Sequence, residues 1–372
     1  MVKQNPLLQL NALGQSVWLD YIRRDLLTGG RLAAMMADDG LAGVTSNPSI
    51  FEDAIARHDF YDDEIQQLLA AGADRDGLYQ ALTRGDVTRA ADILRPLWEA
   101  TRCRDGLVSL EVSPHLADDT EGTVAEAMAL WRAVDRPNLM IKVPGTRAGL
   151  PAITHLIAAG VNLNVTLLFS VARYREVAEA FVAGLERRRS AGQPLAGIAS
   201  VASFFISRID TQVDAELDQR RAAQPEAVTL RGTAALACAR LAYRHYQEWT
   251  GAARWQALAA AGAQPQRLLW ASTSTKDPAY SDVRYVEELI APDTVNTLPP
   301  ATLEAYRDHG DPALRLEPGI AAAAQQIARL AAAGIDMDRV AEQLEREGVD
   351  KFSAAHDALL AVLAARCGGQ NL

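Results

Sequence analysis

A (β/α)8 barrel (a TIM barrel) with a helical insertion and a C-terminal helical extension is the fold class that this 372-residue sequence predicts. Three observations carry it. Eight short runs rich in Val, Ile and Leu recur along the chain, often apolar without alternation, as strands buried on both faces are. Ala-, Leu-, Arg- and Glu-rich stretches with helical spacing lie between them. The competing architecture, an open doubly wound sheet, usually has a Gly-rich phosphate turn after its first strand, and the sequence has none there.

The expected strands, in order, are SVWLD (16–20), AGVTSN (42–47), LVSLEV (107–112), NLMIKV (138–143), VNLNVTLLF (161–169), GIASVASFF (197–205), RLLWAST (267–273) and DTVNTLP (293–299). The clearest helical stretches are 174–192 and 321–334. A long helical insertion, 53–104, separates the second and third strands, and the stretch 337–368 reads as two helices after the barrel. No Pro/Ser linker, repeat or low-complexity segment divides the chain, so residues 1–372 are expected to form one domain.

Hydrophobic residues make up 49% and charged residues 23% of the chain, the mix of an ordinary globular protein with a large core. The net charge of −10 argues against nucleic acid as the main partner, because phosphate backbones select a basic face. The start, MVKQNPLLQLNALGQ, shows no signal-peptide pattern, and no apolar run has the length of a membrane span. Cys103, Cys238 and Cys367 are scattered, which suits a reducing compartment and makes the cytoplasm the expected location. The six histidines show no metal spacing, so no metal is expected. Lysine is scarce: Lys3, Lys142, Lys276 and Lys351 are four of 37 basic residues, and the rest are arginine. A GC-rich genome accounts for that bias, but a lysine retained under it draws notice, because arginine cannot give up its proton and act as a nucleophile.

In a barrel of this kind the active site collects at the C-terminal ends of the strands. The polar residues expected late in the strands are Asp20, Asn47, Glu111, Lys142, Asn164, Thr166, Ser203 and Ser272. Each alone is more often structural, and it is their common placement that points to a site. Lys142 has the sharpest chemistry. An amine in an apolar barrel loses hydration, which favours its neutral form, and a neutral lysine attacks ketones and aldehydes to give a Schiff base. The bland alternative is a buried ion pair with Glu111 or Asp20. Those two carboxylates, on different strands, are suited to divide the proton transfers that such chemistry requires. Alternatively, Asp20 is an N-cap for the helix that follows and Glu111 a barrel-layer residue satisfied by a hydroxyl. Asn47 also reads as a turn opener before Pro48. Asn164 and Thr166, two apart, share a face of the fifth strand from which both could reach the amine on the fourth. Arg208 and Lys276 are candidate phosphate cations.

Taken together, QSVWLDYIRRDL, GVTSNPSIFEDAI, SLEVSP, NLMIKVPGT, GVNLNVTLLFS, VASFFISRID and RLLWASTSTKDPAY resemble the transaldolase family of the pentose phosphate pathway, in its longer bacterial subgroup. The matches run in order from 15 to about 280. The resemblance implies a cofactor-free Schiff-base enzyme that moves a dihydroxyacetone unit between sugar phosphates. It implies Lys142 as the Schiff-base lysine, Asp20 as the acid/base for C–C cleavage, and Glu111 with Thr166 and a water for the Schiff-base steps. Asn47, Asn164 and Ser203 would hold the dihydroxyacetone hydroxyls, and Arg208 and Ser272 the phosphate. Many members are dimers, so a homodimer is one expectation. Many also carry a second phosphate-binding arginine two residues after the serine matching Ser272. Ser274 stands there in this chain, which leaves its hydroxyl or the amine of Lys276 to replace that arginine. The related fructose-6-phosphate aldolases usually have Gln in place of Glu111 and Tyr in place of Phe205, so both residues favour the transferase. A barrel that only binds sugar phosphates would be expected to lose Lys142, Asp20 or Glu111, and all three are present.

Overall fold

The computed structural model describes residues 5–368. Eight parallel strands close into a barrel in sequential order: β1 (Gln15–Asp20), β2 (Gly43–Thr45), β3 (Leu107–Glu111), β4 (Leu139–Pro144), β5 (Leu163–Leu168), β6 (Ser200–Phe205), β7 (Arg267–Ala271) and β8 (Thr294–Leu298). The last strand returns to pair with the first. Each strand coincides with one of the eight apolar runs. The runs overreach mainly at strand ends: Ser46 and Asn47 lie past β2, and Ser272 lies past β7.

The inward positions alternate along each strand. On β1, Ser16 accepts a 2.7 Å hydrogen bond from Arg267, which also pairs with Asp105 at 2.9 Å near the N-terminal end of the barrel. Two residues on, the fully buried Trp18 fills the middle. A Cβ on Gly43 of β2 would lie 2.6 Å from the Trp18 ring, so the neighbouring strand yields its side-chain space to the indole. Two residues further, Asp20 opens into the C-terminal mouth. The sequence thus grades from a structural ion pair, through an aromatic plug, to a polar rim.

The helices start where capping chemistry stands. Asn47 caps the helix Pro48–Ala56 by accepting from the Ile50 amide at 3.0 Å, with Pro48 pre-set for the first turn. Ser170 caps Val171–Ser190 in the same way, and Arg187–Arg189 complement that helix's C-terminal dipole. The insertion is helical, built from the end of Pro48–Ala56 together with Asp62–Ala70 and Arg75–Ala100.

The C-terminal stretch departs from expectation. In place of two helices over 337–368, one continuous helix runs Met337–Gly368. Gly348, at its middle, does not break it. A Cβ there would lie 2.8 Å from Leu167 Cδ2, so the glycine serves close packing, which outweighs its helix cost of about 1 kcal/mol. Buried Val340, Leu344, Gly348, Phe352, His356, Leu359 and Leu363 form one apolar stripe. That stripe rests on the helices Pro48–Ala56, Arg75–Ala100 and Ser207–Arg220 and on the end of β5. Arg339–Glu216 (2.6 Å), His115–Asp357 (2.8 Å) and Arg366–Asp62 contacts fasten it. Among the described residues no helix is long and apolar enough to cross a membrane.

Candidate active site

A cavity of about 280 Å³ opens at the C-terminal mouth of the barrel. Asp20, Asn47, Lys142, Thr166, Ser203, Phe205, Arg208, Ser272, Ser274 and Lys276 line it, ten of the twelve residues expected from sequence. The other two, Glu111 and Asn164, lie behind the wall, one on each side of Lys142: strand register places Glu111 opposite it on β3 and Asn164 opposite it on β5.

Lys142 is only 5% exposed. Its Nζ lies 3.0 Å from Glu111 Oε2 and donates to the Ser46 carbonyl at 3.2 Å. The contact with Glu111 is a buried ion pair. Burial raises the Glu111 carboxyl above its ordinary range, while the Lys142 charge pulls it back. Burial also raises Asp20, against the Lys142 charge and a hydrogen bond from Thr45. Thr45 Oγ1 donates to Asp20 at 2.8 Å; having one proton, it must accept from Thr297 Oγ1, also at 2.8 Å. This hydroxyl chain fixes the carboxylate facing the cavity. Asp20 caps no helix: the next helix, Arg24–Thr28, has Arg23 at its cap position.

Asn164 is fully buried, and both ends of its amide are engaged: it donates to Ser109 Oγ at 3.0 Å and accepts from Ser203 Oγ at 2.6 Å. It sits second of six in β5, early rather than late, and does not hydrogen-bond the Lys142 amine. Thr166, two residues further along, reaches the cavity with a buried hydroxyl that has no protein partner. Directly after it the strand bulges, and Leu167 takes the left-handed backbone conformation (φ 63°). Asn47 both caps its helix through Oδ1 and lines the cavity.

The far wall is cationic. Arg208 sits at the start of the helix Ser207–Arg220, its guanidinium 5.2 Å from the Phe205 ring. Ser272, another left-handed residue (φ 56°), turns the chain out of β7 so that its hydroxyl meets Ser207 Oγ at 3.1 Å. Such backbone strain in a non-glycine residue is concentrated at functional sites. Lys276 Nζ donates to Ser274 Oγ at 2.7 Å, so the two candidates for the missing arginine form one unit. Burial and the Arg208 charge both lower the Lys276 amine's proton affinity. The loop carrying Lys276 is pinned from outside: Tyr280 donates to Asp214 at 2.8 Å, Tyr285 to Asp210 at 2.7 Å, and Arg231 bridges Asp218 and Asp277.

Sequence reasoning missed Lys351 and Phe352, which the C-terminal helix brings to the same cavity, together with Thr45, Thr297 and Tyr21. Phe352 is 3% exposed, and the Lys142 amine lies 5.5 Å from its ring. The signal for Lys351 was present in the lysine scarcity. Of the four lysines, Lys3 lies outside the described residues and the other three line this one cavity.

A second cavity, about 430 Å³, lies outside the barrel between the helices Arg31–Asp38 and Pro300–His309. Its Arg23 and Arg307 are paired with Asp25 and Asp39, and Arg31 and Asp38 also line it, but it holds no lysine. Among the described residues, no group of three or more His, Cys, Asp or Glu side chains is placed to hold a metal ion.

Known proteins match nearly the whole chain. The profile of the family described as Transaldolase/Fructose-6-phosphate aldolase matches residues 17–363. Curated transaldolases are similar along nearly their whole length. That of Saccharopolyspora erythraea is 52% identical over 361 residues, covering 97% of both chains. That of Frankia alni is 50% identical over 365 residues, covering 98% of both, and that of Thermobifida fusca is 53% identical over 357 residues, covering 96% of both. Matched by that profile from β1 to the C-terminal helix and by relatives at about half identity along nearly the whole chain, this protein belongs to the transaldolase/fructose-6-phosphate aldolase family.

Proposed function

We propose that this protein works as a transaldolase, with Lys142 as the Schiff-base residue. The observation that carries the assignment of Lys142 is that its amine, although paired with Glu111 at 3.0 Å, lines an open cavity together with Asp20 and Thr166 in place of being sealed within a core ion pair. The lysine amine adds to the C2 carbonyl of a ketose phosphate, fructose 6-phosphate or sedoheptulose 7-phosphate, to give a carbinolamine. Glu111, next to the amine, and the Thr166 hydroxyl manage the proton and the water lost as the iminium forms. Asp20 then takes the proton of the C4 hydroxyl. The C3–C4 bond breaks, its electron pair passes to the iminium, and the aldose phosphate leaves. The dihydroxyacetone unit remains on Lys142 until an acceptor aldose phosphate, glyceraldehyde 3-phosphate or erythrose 4-phosphate, reverses the sequence. The iminium is the electron sink, so the chemistry calls for no cofactor.

In this reading Asn47 and Ser203, with Asn164 behind Ser203, orient the dihydroxyacetone hydroxyls. Arg208, Ser272, Ser274 and Lys276 receive the phosphate, and Phe205 forms the apolar wall beneath Arg208. The three unpaired cysteines suit a reducing compartment, and we place the reaction in the cytoplasm.

The test is borohydride reduction in the presence of fructose 6-phosphate. It should add one reduced dihydroxyacetone unit to the peptide containing Lys142 and none to a Lys142→Ala protein. An unmodified Lys142 peptide would sink the mechanism. Rapid release of free dihydroxyacetone without an acceptor aldehyde would assign the aldolase activity instead.

A further inference from the structure

We propose that Lys351, carried by the helix Met337–Gly368, is a third substrate-phosphate ligand, acting with Arg208 and Lys276. The proposal rests on the phosphate site described above and extends it to a residue far from the barrel strands in sequence.

Three independent features place Lys351 there. First, Arg208, Lys276 and Lys351 line one side of the same cavity, and among the described residues none of the three forms an ion pair with a carboxylate. Asp20 and Glu347 offset part of the charge of Arg208 without forming an ion pair with it, and a bound dianion would offset the repulsion that remains among the three cations. Burial and the charges of Arg208 and Lys276 lower the Lys351 amine's proton affinity, as expected for cations sharing one small volume.

Second, the helix is built to come close at this point. Gly348 lies one turn before Lys351, on the same side of the helix. A Cβ on Gly348 would lie 2.8 Å from Leu167 Cδ2 and 3.8 Å from Arg208 Nη1. A small side chain at 348 would press on the Leu167 methyl and sit in van der Waals contact with Arg208, so glycine leaves the most room for the helix to approach the arginine. Third, the orientation of the helix is fixed by the neighbouring residue. Phe352 is buried beneath the helix with its ring 5.5 Å from the Lys142 amine.

The arrangement replaces one planar arginine with two lysines on separate segments, Lys276 on the loop after β7 and Lys351 on the C-terminal helix. Each is a point charge on a flexible stem, able to follow a phosphate group as the sugar is cleaved. It also links the two ends of the substrate. A phosphate contact from Lys351 would be made by the same helix that places Phe352 over Lys142, an apolar cover near the iminium.

The experiment uses the full chain and inorganic phosphate as the probe, titrated by calorimetry in the absence of any ketose. Lys351→Met should weaken phosphate binding by about tenfold, the scale of one lost charge-assisted contact, and Lys351→Arg should restore most of it. The KM for fructose 6-phosphate should rise in parallel in Lys351→Met and recover in Lys351→Arg, with the thermal midpoint of both variants matching the parent. Unaltered phosphate binding in Lys351→Met would overturn the proposal. So would a loss that Lys351→Arg fails to recover while the fold is intact. Phosphate binding needs no Schiff base, so repeating the titration in a Lys142→Ala background separates this proposal from the reading of Lys142: failure of borohydride trapping would leave the phosphate result standing.

Discussion

Asp210 offers a sharp quantitative test of how the phosphate loop is held. Its side chain is 1% exposed, accepts from the Ala235 amide at 2.8 Å and from the Tyr285 hydroxyl at 2.7 Å, and helps fix the segment that carries Lys276. Burial pushes its carboxyl from 3.8 up to about 6. A carboxyl whose pKa is raised on folding binds its proton more tightly in the native state, so stability falls as pH rises through the window between 3.8 and about 6. The whole effect is ~3 kcal/mol, of which ~1.4 kcal/mol falls between pH 5 and pH 8. Asp210→Asn removes the titration while its amide oxygen can still accept from Ala235. Any fixed cost of turning an amide nitrogen toward Tyr285 is the same at both pH values. Urea unfolding followed by tryptophan fluorescence at pH 5 and pH 8 should therefore show Asp210→Asn gaining ~1.4 kcal/mol on the parent between the two conditions. Asp214 is also raised by burial and its charge contributes to the Asp210 shift, so the difference between the two proteins reports the coupled pair. A stability difference independent of pH would refute the assignment of a buried, proton-retaining carboxyl at this position.

Glu111→Gln should slow borohydride trapping at Lys142 by about a hundredfold, the usual scale of one acid/base group, because the neutral amide cannot move protons during carbinolamine formation. Stopped-flow or quenched trapping measures it, and an unchanged trapping rate would remove Glu111 from the Schiff-base steps. Lys276→Ala should raise the KM for fructose 6-phosphate by about tenfold in steady-state assays, and an unchanged KM would leave Ser274 alone at that position. Gly348→Val should lower stability by about 1–3 kcal/mol in thermal or urea unfolding, through overpacking against Leu167, and raise the same KM by lifting Lys351 from the cavity. A fully stable variant with parental KM would show that the helix does not need its close approach.

The barrel was legible because strands covered on both faces declare themselves as local apolar runs, and the late polar residues Asp20, Glu111 and Lys142 interrupt those runs conspicuously. Strand ends were less legible: Asn47 lies beyond β2 because its side chain is committed to capping the next helix. Asn164 carried an ambiguity that the alternation of a strand cannot resolve, since the same face holds a buried bracing amide and, two residues on, a hydroxyl in the cavity. The reading of two C-terminal helices failed because one apolar stripe, with Gly348 packed on Leu167, holds a single helix over Met337–Gly368. Lys351 and Phe352 stayed hidden because no pattern local to 337–368 records which part of the barrel that helix will cross; only the rarity of lysine hinted at it.

The gathering of Lys142, Lys276 and Lys351 in one cavity also changes how the molecule should meet amine-directed reagents. Most proteins spread their ε-amines over the surface, and an acylating or reductively alkylating reagent labels them widely. This chain has one lysine, Lys3, besides the three in the cavity. A generic lysine reagent therefore becomes a probe of site occupancy: the modification pattern of these three residues, with and without a sugar phosphate, reports ligand binding by mass alone. Immobilisation through amines would here engage the cavity wherever Lys3 or the α-amino group is not the point of attachment.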